Sequence, residues 1–215
     1  MELCNMNEAI IVTQKAKVAV LISGNGSNLQ ALIDACEKPN IEDNSDYPAE
    51  IALVISNKPN AYGLVRAKNH NITTCVLSQN DYANREDFDA AIHQQLIAAN
   101  IDIVCLAGFM RLLTPAFVAK WQGRMLNIHP SLLPDYKGLN THARVLANGE
   151  TKTGATVHHV VAEMDAGEII IQQSVAIAAD DDAQTLQQKV HILEYIIYPK
   201  ALKKIVTQYI NDRSK

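Results

Sequence analysis

The sequence has few aromatic residues and no concentrated run of basic residues. Phenylalanine, tryptophan and tyrosine make up 5% of the 215 residues, so stacked aromatic surfaces for single-stranded nucleic acid are not expected. The formal net charge is −4, and no dense group of lysine and arginine is present to follow a nucleic-acid backbone. One small phosphate can still be held by a helix N-terminus without basic residues. These absences predict a small-molecule ligand and no nucleic-acid partner.

Cysteine is scarce, and no hydrophobic run is long. The four cysteines contain no CxxC pair, which is typical of a reducing compartment: Cys4, Cys36, Cys75 and Cys105. No apolar run approaches the roughly 20 residues that span a bilayer, and the start MELCNMNEAIIVTQKAK lacks the layout of a secretion signal. HxH, HExxH and cysteine-containing metal spacings are also missing. We therefore expect a cytoplasmic protein with no membrane partner and no metal.

Short β-branched runs alternate with helical patterns through the first half of the chain. Strands are predicted over residues 17–22, 50–56, 72–77, 103–106 and 124–128, with helices between them. Runs 155–161 and 168–177 flank a turn and predict an antiparallel extension in the C-terminal half, followed by a helix over about 183–209. This order predicts an α/β fold, with a mostly parallel, twisted, Rossmann-like sheet and helices on both faces. No linker divides the chain, so a single domain is expected over 1–215, with an N-terminal extension over 1–16 and a surface loop over 39–48.

A glycine-containing turn at residues 24–28 follows the first strand and opens the first helix. Its glycines allow close approach of a ligand, and the amides that follow point at whatever occupies the helix N-terminus. The segment is neither a complete GxGxxG fingerprint nor a Walker loop. The residues alone leave two alternatives: a phosphate-binding turn, or a purely structural tight turn.

Asn127 and His129 alternate at the end of a predicted strand, so both side chains point to one face. Ligands of such sheets bind beyond the carboxyl ends of the strands, although a lone histidine is usually structural. Asp165 lies in an Asp-Ala-Gly turn, which is ordinary turn chemistry unless the turn lies beside His129. His158 and His159, neighbours on one strand, face opposite ways and are weaker candidates.

Five motifs occur in an order that resembles one known family. They are LISGNGSNLQALIDA at 21–35, LAGFMRLL at 106–113, NIHPSLLP at 127–134, GLNTH at 138–142 and EMDAG at 163–167. They resemble the folate-dependent formyltransferases, and the GNGSNLQ turn is similar to the glycinamide ribonucleotide branch of that family. The likeness runs from about Lys17 to about Ala201. It implies transfer of a formyl group from 10-formyltetrahydrofolate to the amine of N1-(5-phosphoribosyl)glycinamide, in purine biosynthesis.

The resemblance also assigns roles to residues. It implies a nucleotide-phosphate-binding half over 17–121 and a catalytic, folate-binding half over 122–215. A monomer or a homodimer is expected. Asn127, His129 and Asp165 would be catalytic, with Asp165 keeping His129 protonated. The substrate nucleotide would be held by Gly26, Ser27, Asn28 and Glu194. The formyl-folate would contact Arg85, Met110, Arg111, Leu112, Leu113, Asn127, Val161, Ala162, Glu163, Met164 and Asp165.

Three alternatives stay open. A methionyl-tRNA formyltransferase shares the three catalytic residues but would need an added basic domain, and a formyltetrahydrofolate hydrolase would carry a regulatory domain. Neither addition is expected in this acidic 215-residue chain. A non-catalytic nucleotide- or folate-binding module would keep the glycine turn without needing all three catalytic residues. In the GLNTH motif, Asn140 stands where some family members carry histidine, so no catalytic role is assigned to it.

Overall fold

The computed structural model describes residues 15–38 and 46–213. Most of the predicted N-terminal extension and of the 39–48 loop lies outside these residues. The described chain contains seven strands: β1 (Ala16–Ile22), β2 (Ala49–Ser56), β3 (Thr73–Val76), β4 (Ile103–Leu106), β5 (Met125–His129), β6 (Lys152–His159) and β7 (Ile169–Ala176). The helices are α1 (Ser27–Glu37), α2 (Tyr62–Asn69), α3 (Arg85–Ala98), α4 (Pro115–Lys120), α5 (Thr141–Ala147) and α6 (Ala183–Arg213).

All seven strands form one sheet, in the order β3-β2-β1-β4-β5-β6-β7. The first five in this order are parallel, while β6 and β7 pair antiparallel with the strand before them. The predicted mixed sheet with an antiparallel C-terminal extension is confirmed. The strand order reverses between β1 and β4, which is where open α/β sheets hold their ligands.

Apolar side chains cover both faces of the sheet. On β1, Val18 and Val20 pack with α1, α2 and α6, whereas Ala19 and Leu21 pack with α3 and α4. This alternation along a strand places one buried cluster on each face. The predicted helices on both faces are therefore confirmed.

The last helix extends beyond its predicted end and also contacts β4 and β5. Arg213 donates to Asp102 Oδ1 at 3.0 Å, and the Tyr209 hydroxyl donates to the same oxygen at 2.7 Å, which stabilises the additional turn. The buried Tyr198 hydroxyl lies 3.0 Å from Leu106 O and 3.3 Å from Leu126 O, so α6 is joined to β4 and β5. In the described part of the chain, no helix is both long and apolar enough to cross a membrane.

Candidate active site

The segments that follow β1, β2 and β4 meet at the carboxyl edge of the sheet, next to the end of β5. The Ser23 hydroxyl, just after β1, donates to Asn57 Oδ1 at 2.6 Å and accepts from the Met110 N–H, after β4, at 2.8 Å. His129 ends β5, the next strand of the sheet. The β1, β4 and β5 ends therefore form one site edge, with the 107–113 segment tied to the glycine turn.

The glycine turn is built around Gly26, the N-cap of α1. Gly26 has φ of 74°, and a Cβ there would lie 2.6 Å from the Gly63 Cα at the start of α2. The Gly63 N–H also donates to Gly24 O at 3.1 Å. Both the left-handed conformation and the close helix contact therefore require glycine. Because Gly26 has no side chain to cap the helix, the first N–H groups of α1 are available to an anion.

Asn28, in the first turn of α1, lies beside Glu194 on α6. The Asn28 amide nitrogen donates to Glu194 Oε2 at 2.8 Å, across 166 residues of sequence. Burial raises the pKa of the Glu194 carboxyl from 4.5 to about 7, although the Asn28 hydrogen bond acts in the opposite direction. The structure thus brings the predicted nucleotide contacts Asn28 and Glu194 together at the helix N-terminus.

Replacing Glu194 by glutamine should change how stability depends on pH. The Glu194 carboxyl has a pKa of about 7 in the folded protein, so it binds a proton more tightly there than in the unfolded chain. The free energy of unfolding of the wild type therefore falls as the pH rises from 4.5 to 7. Glutamine lacks this titration. We expect the variant to gain up to about 3 kcal/mol relative to the wild type across this window, measured by urea unfolding. The exposed Glu86→Gln variant is the control, and a Glu194 difference that does not vary with pH would contradict the assignment.

Asp165 contacts the predicted histidine. Its Oδ2 lies 3.4 Å from His129 Nδ1, and both side chains are less than 10% exposed. The Gly138 N–H donates to the same oxygen at 2.9 Å. Asn127 Nδ2 lies 3.5 Å from Asp165 Oδ1. The three residues predicted to be catalytic therefore form one cluster, although Asp165 lies on the loop after β6.

Hydrogen bonds define the charge state that this cluster favours. His129 Nε2 lies 2.9 Å from the Tyr136 carbonyl oxygen, which can only accept, so Nε2 carries a proton. His129 Nδ1 faces the Asp165 carboxylate, which also calls for a proton. Burial acts to raise the pKa of Asp165, but the neighbouring His158 side chain, the hydrogen bond from the Gly138 N–H and the nearby His129 outweigh it, so the pKa is lowered. The geometry places each ring nitrogen of His129 against an acceptor oxygen, Tyr136 O on one side and the Asp165 carboxylate on the other.

His158, a weaker candidate from the sequence alone, also belongs to this cluster. Its Nδ1 donates to His159 O at 2.8 Å, and its Nε2 lies 3.1 Å from Asn127 Nδ2 and 3.6 Å from Asp165 Oδ1. Asn127 and His158 are register partners on β5 and β6. Alternation on a strand predicted that His158 and His159 face opposite ways, but only the register shows which of them faces the site.

Thr156 on β6 anchors the loop that follows His129. Its hydroxyl donates to Ser131 O at 2.7 Å and accepts from the Leu133 N–H at 3.2 Å. Gln172 on β7 donates to both Thr156 Oγ1 and Leu133 O at 2.9 Å. The antiparallel extension of the sheet therefore holds the loop in place.

Exposed apolar side chains lie on the segments that follow β4 and β6. Met110 and Leu112 follow β4 and are each 61% exposed, while Val161 and Met164 follow β6 and are 39% and 49% exposed. Arg111 and Glu163 are exposed, Ala162 lies in the same β6–β7 loop, and Leu113 packs partly into the core. We call the exposed side chains of Met110, Leu112, Val161 and Met164 the apolar rim, and apolar surface combined with a few polar groups is typical of small-molecule sites.

Arg85 is less closely tied to the other predicted residues. It is the exposed first residue of α3, and no contact with the cluster is found within the described residues. The helix itself is connected to the site edge, because the Thr114 N–H donates to the buried Asp89 carboxylate at 2.7 Å. Across residues 15–38 and 46–213, no group of three His, Cys, Asp or Glu side chains is arranged to hold a metal ion.

Known proteins share both the sequence and this architecture. Residues 16–202 match the model of the formyl transferase family. The chain belongs to this family. It is 46% identical over 187 residues to the phosphoribosylglycinamide formyltransferase of Haemophilus influenzae, covering 87% of this chain and 85% of that protein. The phosphoribosylglycinamide formyltransferase structure from Coxiella burnetii has a TM-score of 0.84 at 44% identity, covering 91% of this chain and 89% of that one.

Some relatives that resemble this chain are much longer proteins. It is 50% identical over 194 residues to the human trifunctional purine biosynthetic protein adenosine-3, which covers 90% of this chain but 19% of that protein. Across the trifunctional relatives it matches, the chain spans 14 to 19% of their length. The resemblance to formyltransferases stated from the motifs is thus confirmed.

Proposed function

We propose that this chain transfers the formyl group of 10-formyltetrahydrofolate to the amine of N1-(5-phosphoribosyl)glycinamide in purine biosynthesis. The observation that carries the proposal is that an anion-binding turn and the Asn127, His129 and Asp165 cluster share one edge of the sheet. Relatives named phosphoribosylglycinamide formyltransferase support the choice of substrate.

The nucleotide would bind at the start of α1. The N–H groups of Gly26, Ser27 and Asn28 would hold its phosphate, because they lie at the positive end of the helix dipole. Glu194 would accept hydrogen bonds from a neutral part of the nucleotide. The buried Asn28 Oδ1 has no partner among the described residues, and a donor on the ligand would satisfy it.

The formyl-folate would lie against the apolar rim. Met110, Leu112, Val161 and Met164 offer exposed apolar surface for its ring systems. Arg85 and Arg111 are cations suited to its carboxylates. These properties fit the apolar rings and the acidic end of the ligand.

The cluster would act on the formyl group and on one proton. A bond forms between the substrate amine and the formyl carbon, the bond from that carbon to the folate nitrogen breaks, and a proton passes from the amine to that nitrogen. Asn127 and the protonated His129 would donate to the formyl oxygen as negative charge develops there. For this, the His129 Nε2–H would exchange Tyr136 O for the formyl oxygen. Asp165 would keep His129 charged and assist the proton transfer.

The test is release of deformylated folate, followed spectroscopically with the nucleotide added or withheld. Transfer predicts release that depends on the nucleotide, with formylated nucleotide formed in equal amount. Release at the same rate without nucleotide would instead indicate a hydrolase and would refute the transferase function.

We also propose a cytoplasmic location, in keeping with the free thiols of Cys36, Cys75 and Cys105.

A further inference from the structure

Arg66, on α2, contacts the glycine turn although 41 residues separate it from Asn25. Its Nε donates to Asn25 O at 3.0 Å, and its Nη2 donates to Asn25 Oδ1 at 3.0 Å. Nη1 donates to Gln30 Oε1 at 3.4 Å, and the guanidinium carbon lies 4.9 Å from the centre of the Tyr62 ring. One planar guanidinium thus joins the turn, the first helix and the second helix.

The backbone beside Arg66 is also fixed against the turn. The Gly63 N–H donates to Gly24 O at 3.1 Å, and a Cβ on Gly26 would lie 3.6 Å from the Arg66 Cδ. The start of α2 therefore packs directly on the residues that precede α1. A shift of Arg66 would be transmitted to the amides that follow Asn25.

The positive charge of Arg66 has no carboxylate partner in the described part of the chain. Its acceptors are a carbonyl and two side-chain amides, and none of the ion pairs found there includes it. Arg66 and Ser27 line one groove of about 630 Å³, together with Asp34. The Asp34 carboxylate accepts from Gln30 at 2.9 Å instead. An uncompensated cation therefore lies next to the start of α1.

We propose that Arg66 is a positioning residue for the phosphate of the nucleotide. By holding both oxygens of Asn25, it orients the amides of Gly26 to Asn28 toward one point, and its free charge favours an anion there. The identity of the nucleotide rests on the proposed function, whereas the binding of a phosphate ester at this position does not.

Ribose 5-phosphate is a direct probe, since it needs no formyl transfer. Its Kd, measured calorimetrically, should rise about tenfold to a hundredfold in Arg66→Met, because hydrogen bonds to charged groups are lost or misdirected. The KM for the nucleotide should rise similarly, while kcat and the KM for formyl-folate change less than about threefold. Arg66→Lys should recover part of the affinity, because lysine keeps the positive charge but cannot donate to both Asn25 oxygens in the fixed planar geometry of a guanidinium.

Arg124→Met is the matched control. Arg124 also stacks on an aromatic ring, that of Trp121, at 4.6 Å and donates to two backbone carbonyls, but it precedes β5 at the opposite edge of the sheet. An unchanged Kd for ribose 5-phosphate in Arg66→Met, or no binding to the wild type, would overturn the proposal. If Arg66→Met has no thermal transition and is therefore unfolded, the Kd of ribose 5-phosphate is measured for Arg66→Lys instead. An unchanged Kd in that variant would likewise overturn the proposal. If the transferase assay fails but Arg66→Met still weakens the binding of ribose 5-phosphate, only the proposed function is refuted.

Discussion

The Asp165→Asn and His129→Ala variants should each lose about a hundredfold to a thousandfold in kcat while remaining folded. Asp165 Oδ2 accepts from Gly138 and lies 3.4 Å from His129 Nδ1, so asparagine can keep one contact but cannot carry the charge that balances the imidazole. His129→Ala removes a donor from the formyl oxygen. The measurement is steady-state turnover with both substrates saturating, alongside circular dichroism and thermal melting.

A matched control separates catalysis from packing in this prediction. His93, on α3, accepts from the Trp121 ring nitrogen at 3.3 Å, and Trp121 stacks with Arg124 at the amino end of β5, away from the carboxyl edge that holds the cluster. His93→Ala should alter stability more than turnover. Near-normal rates in both Asp165→Asn and His129→Ala would show that the roles proposed for them are wrong, whereas a loss of the thermal transition would point to structural roles.

Replacing Gly26 by alanine should disrupt both stability and nucleotide binding. Alanine at φ of 74° costs about 1 kcal/mol, and its Cβ would lie 2.6 Å from the Gly63 Cα, which adds an overpacking cost of about 1–3 kcal/mol. Because α1 and α2 must separate, the free energy of unfolding should fall by about 2–4 kcal/mol. The amides that would hold the phosphate also move, so the KM for the nucleotide should rise more than about tenfold.

Gly123 provides the control for backbone strain. It has the same φ of 74°, but a Cβ there would meet nothing within 4 Å. Gly123→Ala should therefore cost about 1 kcal/mol and leave the KM for the nucleotide unchanged. Equal losses of stability in the two variants, measured by urea unfolding, would show that close contact between the helices does not explain the need for Gly26.

The likeness to formyltransferases and the α/β architecture were both readable from the chain. Alternating β-branched runs and amphipathic segments depend on residues close in sequence, so they indicated β1–β5, the helices between them and the antiparallel extension. The glycine turn before α1 and the shared face of Asn127 and His129 are local patterns of the same kind. Where boundaries moved, as at the end of α6, a distant contact such as that of Arg213 with Asp102 decided them.

The cluster itself was decided by tertiary structure. Strand alternation showed that His129 points to one face, but the proximity of Asp165 required the β6–β7 loop to fold back over the end of β5. The register that pairs Asn127 with His158, and the packing that brings Glu194 to Asn28 and Arg66 to Asn25, join residues far apart in the chain. Local sequence sets which way a side chain points, whereas sheet order, register and helix packing set which distant side chains it meets.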